Sequence, residues 1–455
     1  MNQVLAVNPE DPDSLGYLGT AMKDTGDLDS AIACYRKSLA IKPDHGTASN
    51  LVYTIHFHSG FSAQAIRVEH DEFNKLYCQP LARQRLSLAN DRNPNRKIRV
   101  GYLSPDFRFH PVGRFMLPLL RRRNTEQFTT ICYHDIPTED GLTRRLREQS
   151  DVWNETAIRS DEELAALIRS DQIDILVDLT AHMDRNRMLV FARKPAPVQV
   201  TYLAYCSTTG LETMDYRISD PYLDEPDRPS SVYAEQTLTL PSTYWCFEPV
   251  NDAIRPAPLP LIEKGYVTFG CLNNFAKVTP ETLDAWFELL SRLQNSRLRL
   301  YAPSGAHRSR VLSRAEAHGL RRDQVDFAPF GSFASYLDQY RMIDIVLDPF
   351  PYGGGTTTCD ALWMGLPVVT LCGETAVSRA GLSLLSNVGL ERFVATDADA
   401  YVNIAEKLAG DTNQLLGLRQ DLQMIMMKSS LMDSVKFACD FERLLRTAWI
   451  RWCTQ

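Results

Sequence analysis

The sequence predicts an α/β protein: two doubly wound parallel-sheet domains in series, behind a short all-α region. Three observations carry that prediction. A segment near the start recurs with a 34-residue period, LAVNPED at 5–11 and LAIKPDH at 39–45, so that Pro9 is matched by Pro43. From Lys97 onward, apolar runs of strand length alternate with helix-length amphipathic segments, the pattern of a parallel sheet covered by helices. A proline-rich stretch, PVNDAIRPAPLP at 249–260, interrupts the alternation, which then restarts.

Composition bounds the function classes. At 455 residues the chain exceeds one ordinary core. Its 44% hydrophobic and 23% charged residues are those of a soluble globular protein. A net charge of −7 argues against nucleic acid or an anionic membrane as the main partner. The ten cysteines are scattered without a CxxC pair, which suits reduced cytoplasmic thiols better than a disulfide framework. The opening MNQVLAVNPEDPD lacks the basic and apolar blocks of a signal peptide, and no apolar run reaches membrane-spanning length. A cytoplasmic protein with no nucleic-acid partner and no membrane span is expected.

The elements are taken in chain order. Residues 1–90 are expected to be helical. Within the repeat, Gly19 and Ala31 let two antiparallel helices approach, while Leu18 and Tyr35 fill the space around them. The period and residue types resemble a tetratricopeptide repeat, with one complete unit and residues 1–11 reading as the end of a preceding one. A stack this short cannot bury its own face, so it must dock on later parts of the chain or belong to a longer array. His56, His58 and His70 have no carboxylate or cysteine at ligand spacing and read as surface or packing residues. In the first lobe, 97–250, the strand candidates are KIRVGYLS (97–104), FTTICYH (128–134), IDILVDLT (173–180) and VQVTYLAY (198–205), with helices at 141–149 and 161–170. The second lobe, 260–430, offers YVTFGCL (266–272), LRLYAP (298–303), VDFAPF (325–330), IDIVLDPF (343–350), PVVTLCG (367–373) and RFVATD (392–397). Two such domains and a proline-bearing hinge predict a cleft.

Ligands of open parallel sheets bind at the carboxyl ends of the strands, which directs attention to the loops there. After IDIVLDPF comes PYGGGTTTCDALW. Glycines let backbone N–H groups approach an anion, and a helix N-terminus adds partial positive charge. Gly354 and Gly355 supply the close approach; Thr356, Thr357 and Thr358 are expected to cap the helix and offer hydroxyls to phosphate oxygens. No Gly-Lys-Ser/Thr comes after it, so this is not a Walker loop, and it is not GxGxxG. After TFGCL, the loop NNFAKVTPETLDAW carries Asn273, Asn274 and Lys277, and Thr279-Pro280 marks a helix start. A lysine at that edge would neutralise a pyrophosphate and stabilise a departing nucleotide. Asp360, one turn into the helix, is placed to accept from ribose hydroxyls. In the first lobe, SPDFRFHPVGRF and DLTAHMDRNR put His110 and His182 after strands, where a sugar and its acceptor would sit. A further loop, AYCSTTG (204–210), gathers small hydroxyl residues.

Four long segments, in order, carry a resemblance: VGYLSPDFRFHPVGRF; IDILVDLTAHMDRNRMLVFARKPAPVQVTYLAYCSTTGLETMDYRISD; FGCLNNFAKVTPETLDAW; and DPFPYGGGTTTCDALWMGLPVVTLCGETAVSRAGLSLL. From about Lys97 to the C-terminus the chain resembles the O-linked N-acetylglucosamine transferase and SPINDLY family. The resemblance implies a GT-B fold and a metal-independent, inverting transfer of sugar to protein, with no cofactor beyond the nucleotide-sugar donor. It implies that the last helix, 431–455, crosses back to the first lobe. His110 matches the histidine of the family's DFxxHP motif, facing sugar and acceptor. Lys277 matches the lysine on the diphosphate, Asn274 an amide near the donor, Thr356 and Thr357 the pyrophosphate threonines, and Asp360 the acid near the ribose. His182 falls in a GHT-like position where the preceding residue is Ala181 rather than glycine.

Two departures bear on the donor. Gly355 stands where the animal enzymes have histidine, and Tyr336 and Gln339 stand where many users of uridine donors show histidine and arginine. N-acetylglucosamine from UDP-GlcNAc is the main expectation for transfer to Ser or Thr of a protein or peptide acceptor. O-fucosylation from GDP-fucose, N-linked glucosylation and a non-catalytic repeat scaffold are the alternatives. No DxD-like acid pair stands in the donor loops, so a metal is not called for.

Overall fold

In the computed structural model, which describes residues 8–225 and 230–455, the strands fall into two separate parallel sheets. The first contains β1 (Ile98–Ser104), β2 (Phe128–His134), β3 (Val152–Glu155), β4 (Ile175–Asp178), β5 (Val198–Thr201), β6 (Tyr216–Ser219) and β7 (Gln236–Thr239), in the order β3-β2-β1-β4-β5-β6-β7. The second contains β8 (Val267–Cys271), β9 (Ser296–Tyr301), β10 (Val325–Ala328), β11 (Ile345–Leu347), β12 (Val368–Leu371) and β13 (Val394–Ala395), in the order β10-β9-β8-β11-β12-β13. Every described pairing is parallel. In each sheet the chain starts in the middle, builds to one side, then crosses its first strand to build the other. That reversal makes a topological switch point beside β1 and another beside β8.

The central strands are apolar because helices cover both their faces. Ile98, Val100, Tyr102 and Leu103 of β1 are buried, as are Val267, Phe269 and Cys271 of β8. Three strands are not apparent from the sequence pattern. The strand β3 (VWNE) and the strand β7 (QTLT) are sheet edges with polar outward residues, and β6 (YRIS) is four residues long with an arginine inside it.

The chain divides into two compact units. One holds β8–β13 and comprises the described residues up to Pro43, Thr54–Gly60 and Pro249–Ser429; the other holds β1–β7 and comprises Asp44–Tyr53, Phe61–Glu248 and Ser430–Gln455. The helical stretch expected over 1–90 is therefore shared between the units rather than forming one of its own. The helices Pro12–Asp24 and Leu28–Ile41 make an antiparallel hairpin, each N-capped by an aspartate, Asp11 and Asp27. A Cβ on Gly19 would lie 2.7 Å from the Tyr35 ring, so only glycine allows this approach, and Ala31 and Tyr35 are fully buried. A single hairpin leaves an apolar side over, and its turn docks on later residues of the same unit. Gly26 lies against the Phe275 ring, Arg310 donates to the Thr25 carbonyl at 3.1 Å, and Ser59 donates to Glu281 at 3.0 Å. Leu5 and the other residues of the first repeat copy up to Val7 lie outside the described residues.

The helix Ser434–Cys453 belongs to the unit of β1–β7. Phe437, Phe441, Leu445 and Trp449 recur every fourth residue and are buried, with Phe441 4.9 Å from the Tyr202 ring just after β5. Arg446 donates to the carbonyls of Pro94 and Arg96, both at 2.9 Å, just ahead of β1. Among the described residues no helix is long and apolar enough to cross a membrane.

Candidate active site

The glycine–threonine loop joins the end of β11 to the helix Thr356–Trp363. The helix cap is Gly355, with no side-chain hydrogen bond, so the threonines fill the first turn instead of capping it. Their hydroxyls are turned elsewhere: Thr357 donates to Asn273 Oδ1 at 2.7 Å, and the buried Thr358 hydroxyl has no hydrogen-bond partner. The N-terminus is left without a side-chain acceptor, and its partial positive charge is available to an anion. The glycines have a local cause. A Cβ on Gly354 would lie 2.5 Å from Thr358 Oγ1 and 2.6 Å from Thr357 Oγ1, and one on Gly353 would lie 2.9 Å from Asp348 Oδ2. The loop is folded onto its own threonines and onto a buried acid.

That acid, Asp348, comes directly after β11 and is fully buried. It accepts from the Gly354 N–H at 2.7 Å and from the Thr370 hydroxyl at 2.9 Å. Burial pushes its pKa up to about 6, against the opposing pull of the Gly354 N–H, Lys277, Thr370 and Asn273.

Lys277 arrives from the neighbouring strand. After β8 the chain makes a short turn, Phe275–Lys277, and then enters the helix Pro280–Arg292 with Thr279 as N-cap and proline first, as the sequence predicts. The Lys277 ammonium donates to the Gly353 carbonyl at 2.7 Å and lies 4.1 Å from the centre of the Tyr352 ring, which stacks on Phe57 at 4.7 Å. The two adjacent asparagines of this loop point different ways. Asn274 is exposed and caps the 275–277 turn, accepting from the Ala276 N–H at 3.1 Å, whereas the buried Asn273 is the amide on the threonine loop. In a loop the direction of a side chain is not set by periodicity, and two adjacent asparagines give no sign of which points inward.

Asp360 is buried in the helix and accepts from the Tyr336 hydroxyl at 3.4 Å; Tyr336 and Tyr340 share a 2.7 Å hydrogen bond, and Tyr340 donates to the Thr357 carbonyl at 3.0 Å. Gln339 faces away from this chain of hydroxyls, its Oε1 accepting from Arg299 at 2.8 Å. At the ends of β9 and β10, Tyr301 stacks on the exposed Phe330 at 4.2 Å, with Tyr336 edge-on to Tyr301. Asn273, Lys277, Gly354 to Thr358, Tyr336 and Asp360 thus gather within the unit of β8–β13.

His110 and His182 belong to the other unit. His110 is the N-cap of the helix Pro111–Arg121 and its side chain is 29% exposed. Its Nδ1 lies 3.4 Å from the Val112 nitrogen and 3.4 Å from the Asp106 carboxylate. A single ring nitrogen cannot accept from the amide and donate to the carboxylate at once. When Nδ1 carries the proton toward Asp106, Nε2 is a free base; when Nδ1 accepts from Val112, Nε2 is a donor. Burial holds the His110 pKa below the usual histidine value, with Asp106 opposing and Arg108 adding to the effect.

His182 departs from expectation. It is fully buried; Nδ1 is bonded to Ser49 Oγ at 3.1 Å and Nε2 donates to the Thr209 carbonyl at 2.7 Å. His70 and Phe73 meet its ring edge-on at 5.1 and 4.5 Å. Burial, with His70 adding, drives its pKa down to about 3 although the Thr209 carbonyl pulls upward. With both nitrogens occupied, the ring offers nothing to an acceptor: it holds the loop after β4 against the helices Ala63–Phe73 and His45–Thr54. The AYCSTTG hydroxyls are also internal, Thr208 donating to Glu235 at 2.8 Å and the Thr209 N–H at 2.7 Å.

Two helix-covered parallel sheets in series, with a lysine and a glycine–threonine helix start at the switch point of the second, define an α/β protein of the GT-B type. The chain belongs to glycosyl transferase family 41, whose family model matches residues 44–251 and 260–441. It is similar to the tomato (Solanum lycopersicum) protein named probable UDP-N-acetylglucosamine–peptide N-acetylglucosaminyltransferase SPINDLY, 37% identical over 389 residues, which are 84% of this chain and 41% of the relative. The Arabidopsis thaliana protein of that name is 37% identical over 378 residues, 81% of this chain and 41% of the relative. The chain thus spans less than half the length of these curated relatives. A solved structure of a Thermobaculum terrenum O-GlcNAc transferase mutant superposes with a TM-score of 0.94 at 34% identity, covering 100% of this chain and 87% of that one.

Proposed function

We propose that this protein is an inverting, metal-independent protein O-glycosyltransferase that moves a sugar from a nucleotide diphosphate donor to Ser or Thr of a protein acceptor. The observation that carries the reading is the meeting of Lys277 with the glycine–threonine loop, 2.7 Å from Gly353 O and beside an N-terminus that no side chain caps. A fixed ammonium and oriented N–H groups are what a departing diphosphate requires, and preorganised groups of this kind stabilise developing charge without reorganising. The acceptor hydroxyl attacks C1 of the sugar from the face opposite the diphosphate, so the anomeric centre inverts as the C1–O bond to phosphate breaks. The hydroxyl proton passes to a base, for which His110 in its Nδ1-protonated tautomer is the candidate, Asp106 accepting from Nδ1. Asp360, which accepts from the Tyr336 hydroxyl, is the candidate to accept from the ribose hydroxyls. The likeness to proteins named as N-acetylglucosaminyltransferases supports N-acetylglucosamine as the sugar. Tyr336 and Gln339 in place of histidine and arginine favour keeping GDP-fucose as the second donor.

The test is to incubate the protein with UDP-GlcNAc, UDP-glucose and GDP-fucose separately, measuring donor consumption, protection against heating and the mass increment on co-expressed proteins. UDP-GlcNAc is expected to be consumed and to add one N-acetylhexosamine mass. A deoxyhexose increment moves the assignment to fucose, and no consumption or protection by any donor refutes the proposal.

A further inference from the structure

The loop that would hold the diphosphate is itself held by a residue that this reading leaves out of contact with substrate. Asp348 takes the Gly354 N–H at 2.7 Å and the Thr370 hydroxyl at 2.9 Å, and the Asn273 amide also bonds to it. Asn273 in turn receives the Thr357 hydroxyl at 2.7 Å. Both glycines 353 and 354 are folded so tightly over the carboxylate that a Cβ on either would come within 2.9 Å of one of its oxygens. We propose that Asp348 is the positioning residue of the diphosphate site, fixing Gly354, Asn273 and through it Thr357 in the anion-binding arrangement, and that its ionisation makes donor binding depend on pH. The inference rests on the donor reading above.

The physical argument is one of acceptor count. An ionised carboxylate accepts from all three donors; a protonated one becomes a donor at one oxygen and must release or reverse a bond. Whichever bond yields, the loop loses a restraint in a buried place where water does not substitute. The groups facing the carboxylate are Cys271 of β8, Asn273 and Lys277 after it, Thr370 of β12, and Tyr401 of the helix Ala398–Ala409, whose hydroxyl donates to the Asp348 carbonyl at 3.0 Å. Burial pushes the Cys271 thiol to about 12 and Tyr401 well above its usual value, so Lys277 is the charge among these that faces Asp348 at neutral pH. With its pKa near 6, Asp348 passes from mostly ionised to mostly protonated between pH 7.5 and 5. A nucleotide sugar keeps a constant charge over that range, whereas a free nucleoside diphosphate does not. His110 also titrates below 6.5, so turnover mixes two ionisations and the readout must be donor affinity.

The experiment is calorimetric titration of UDP-GlcNAc, and of GDP-fucose, into the full chain at pH 7.5 and pH 5. Wild type is expected to bind about ten-fold more weakly at pH 5, the ionised fraction one unit below the midpoint being about a tenth. Asp348→Asn should bind at least ten-fold more weakly at pH 7.5 and show no further loss at pH 5. Thr370→Val, which removes one donor to the carboxylate and leaves the acid in place, should move the midpoint of the pH dependence upward. A flat affinity in wild type, or an Asp348→Asn protein that keeps both the affinity and the slope, overturns the proposal. Should wild type bind neither donor at pH 7.5, the donor reading fails. The hold on the loop is then decided by amide exchange of a peptide covering 353–358 at one pH. Faster exchange in Asp348→Asn upholds it, and unchanged exchange overturns it.

Discussion

Lys277 and the two histidines respond differently to the same substitution. Lys277 is half-buried and bonded to a loop carbonyl, so Lys277→Ala removes a charge at the diphosphate while sparing the core. Turnover is expected to fall about 10²-fold or more with little change in the unfolding midpoint, measured by initial rates and thermal melts. His110→Ala should lower kcat more than it raises the donor KM, the mark of an interaction made chiefly in the transition state. Asp106→Asn should shift the acid limb of kcat to lower pH, because Asp106 is the group that raises the His110 pKa. His182→Ala should instead act on folding. Removing a buried ring that satisfies Ser49 and Thr209 leaves two polar groups unpaired and a cavity, a loss of about 3 kcal/mol read by denaturant titration. The expectation of His182 on the acceptor or sugar side comes from reading a loop, where neighbours such as Asp184 and Arg185 look polar whether or not the side chain beside them points inward, and adjacent Asn273 and Asn274 give no sign of which is buried.

At the scale of the element, the glycine–threonine helix start is the most specific feature. A Cβ on Gly354 meets two threonine hydroxyls and Asp348, so Gly354→Ala must displace the first helical turn. Donor affinity is expected to fall at least ten-fold while far-UV circular dichroism stays that of wild type; unchanged affinity would show that the turn does not bind the donor. The interior strands are legible because each is an apolar run of strand length, and the two interrupted alternations reveal two sheets before any coordinates. β3 and β7 are not legible, since short edge strands carry polar residues on the side without a neighbour, and β6, between β5 and β7, is four residues long with a buried arginine inside it. Thr356 to Thr358 look like a cap by residue type. Asn273 draws the Thr357 hydroxyl away, and that partner lies 84 residues earlier in the chain, beyond the reach of local pattern.

At the scale of the molecule, the two units carry buried groups whose pKa values move in opposite directions. His182, in the unit of β1–β7, falls from 6.5 to about 3 on folding. Between those values the unfolded chain binds a proton that the folded chain refuses, so stability present above pH 6.5 is lost on acidification. Asp348, in the unit of β8–β13, rises from 3.8 to about 6, so the folded chain binds the proton more tightly and acidification through that window adds stability. Each contribution changes by about 1.4 kcal/mol per pH unit inside its window. From pH 6 to pH 4, the stability gap between wild type and His182→Ala should narrow, and that between wild type and Asp348→Asn should widen. Pulse proteolysis in denaturant at several pH values measures both gaps, and gaps that move together would contradict the opposed assignment.

The division of the early helices between units has a consequence for synthesis. The hairpin of Pro12–Asp24 and Leu28–Ile41 docks on Phe275, Arg310 and their neighbours, which the ribosome adds more than two hundred residues later. At about 5–20 residues per second the hairpin waits on the order of ten seconds or more with its docking side uncovered, while all the strands β1–β7 are made. A nascent chain arrested near residue 248 would therefore hold seven strands still lacking the covering helix Ser434–Cys453, led by a helical pair without its docking partners. Such an intermediate keeps apolar faces of both units uncovered until the last residues are made, so the yield of folded protein is expected to follow the rate of translation.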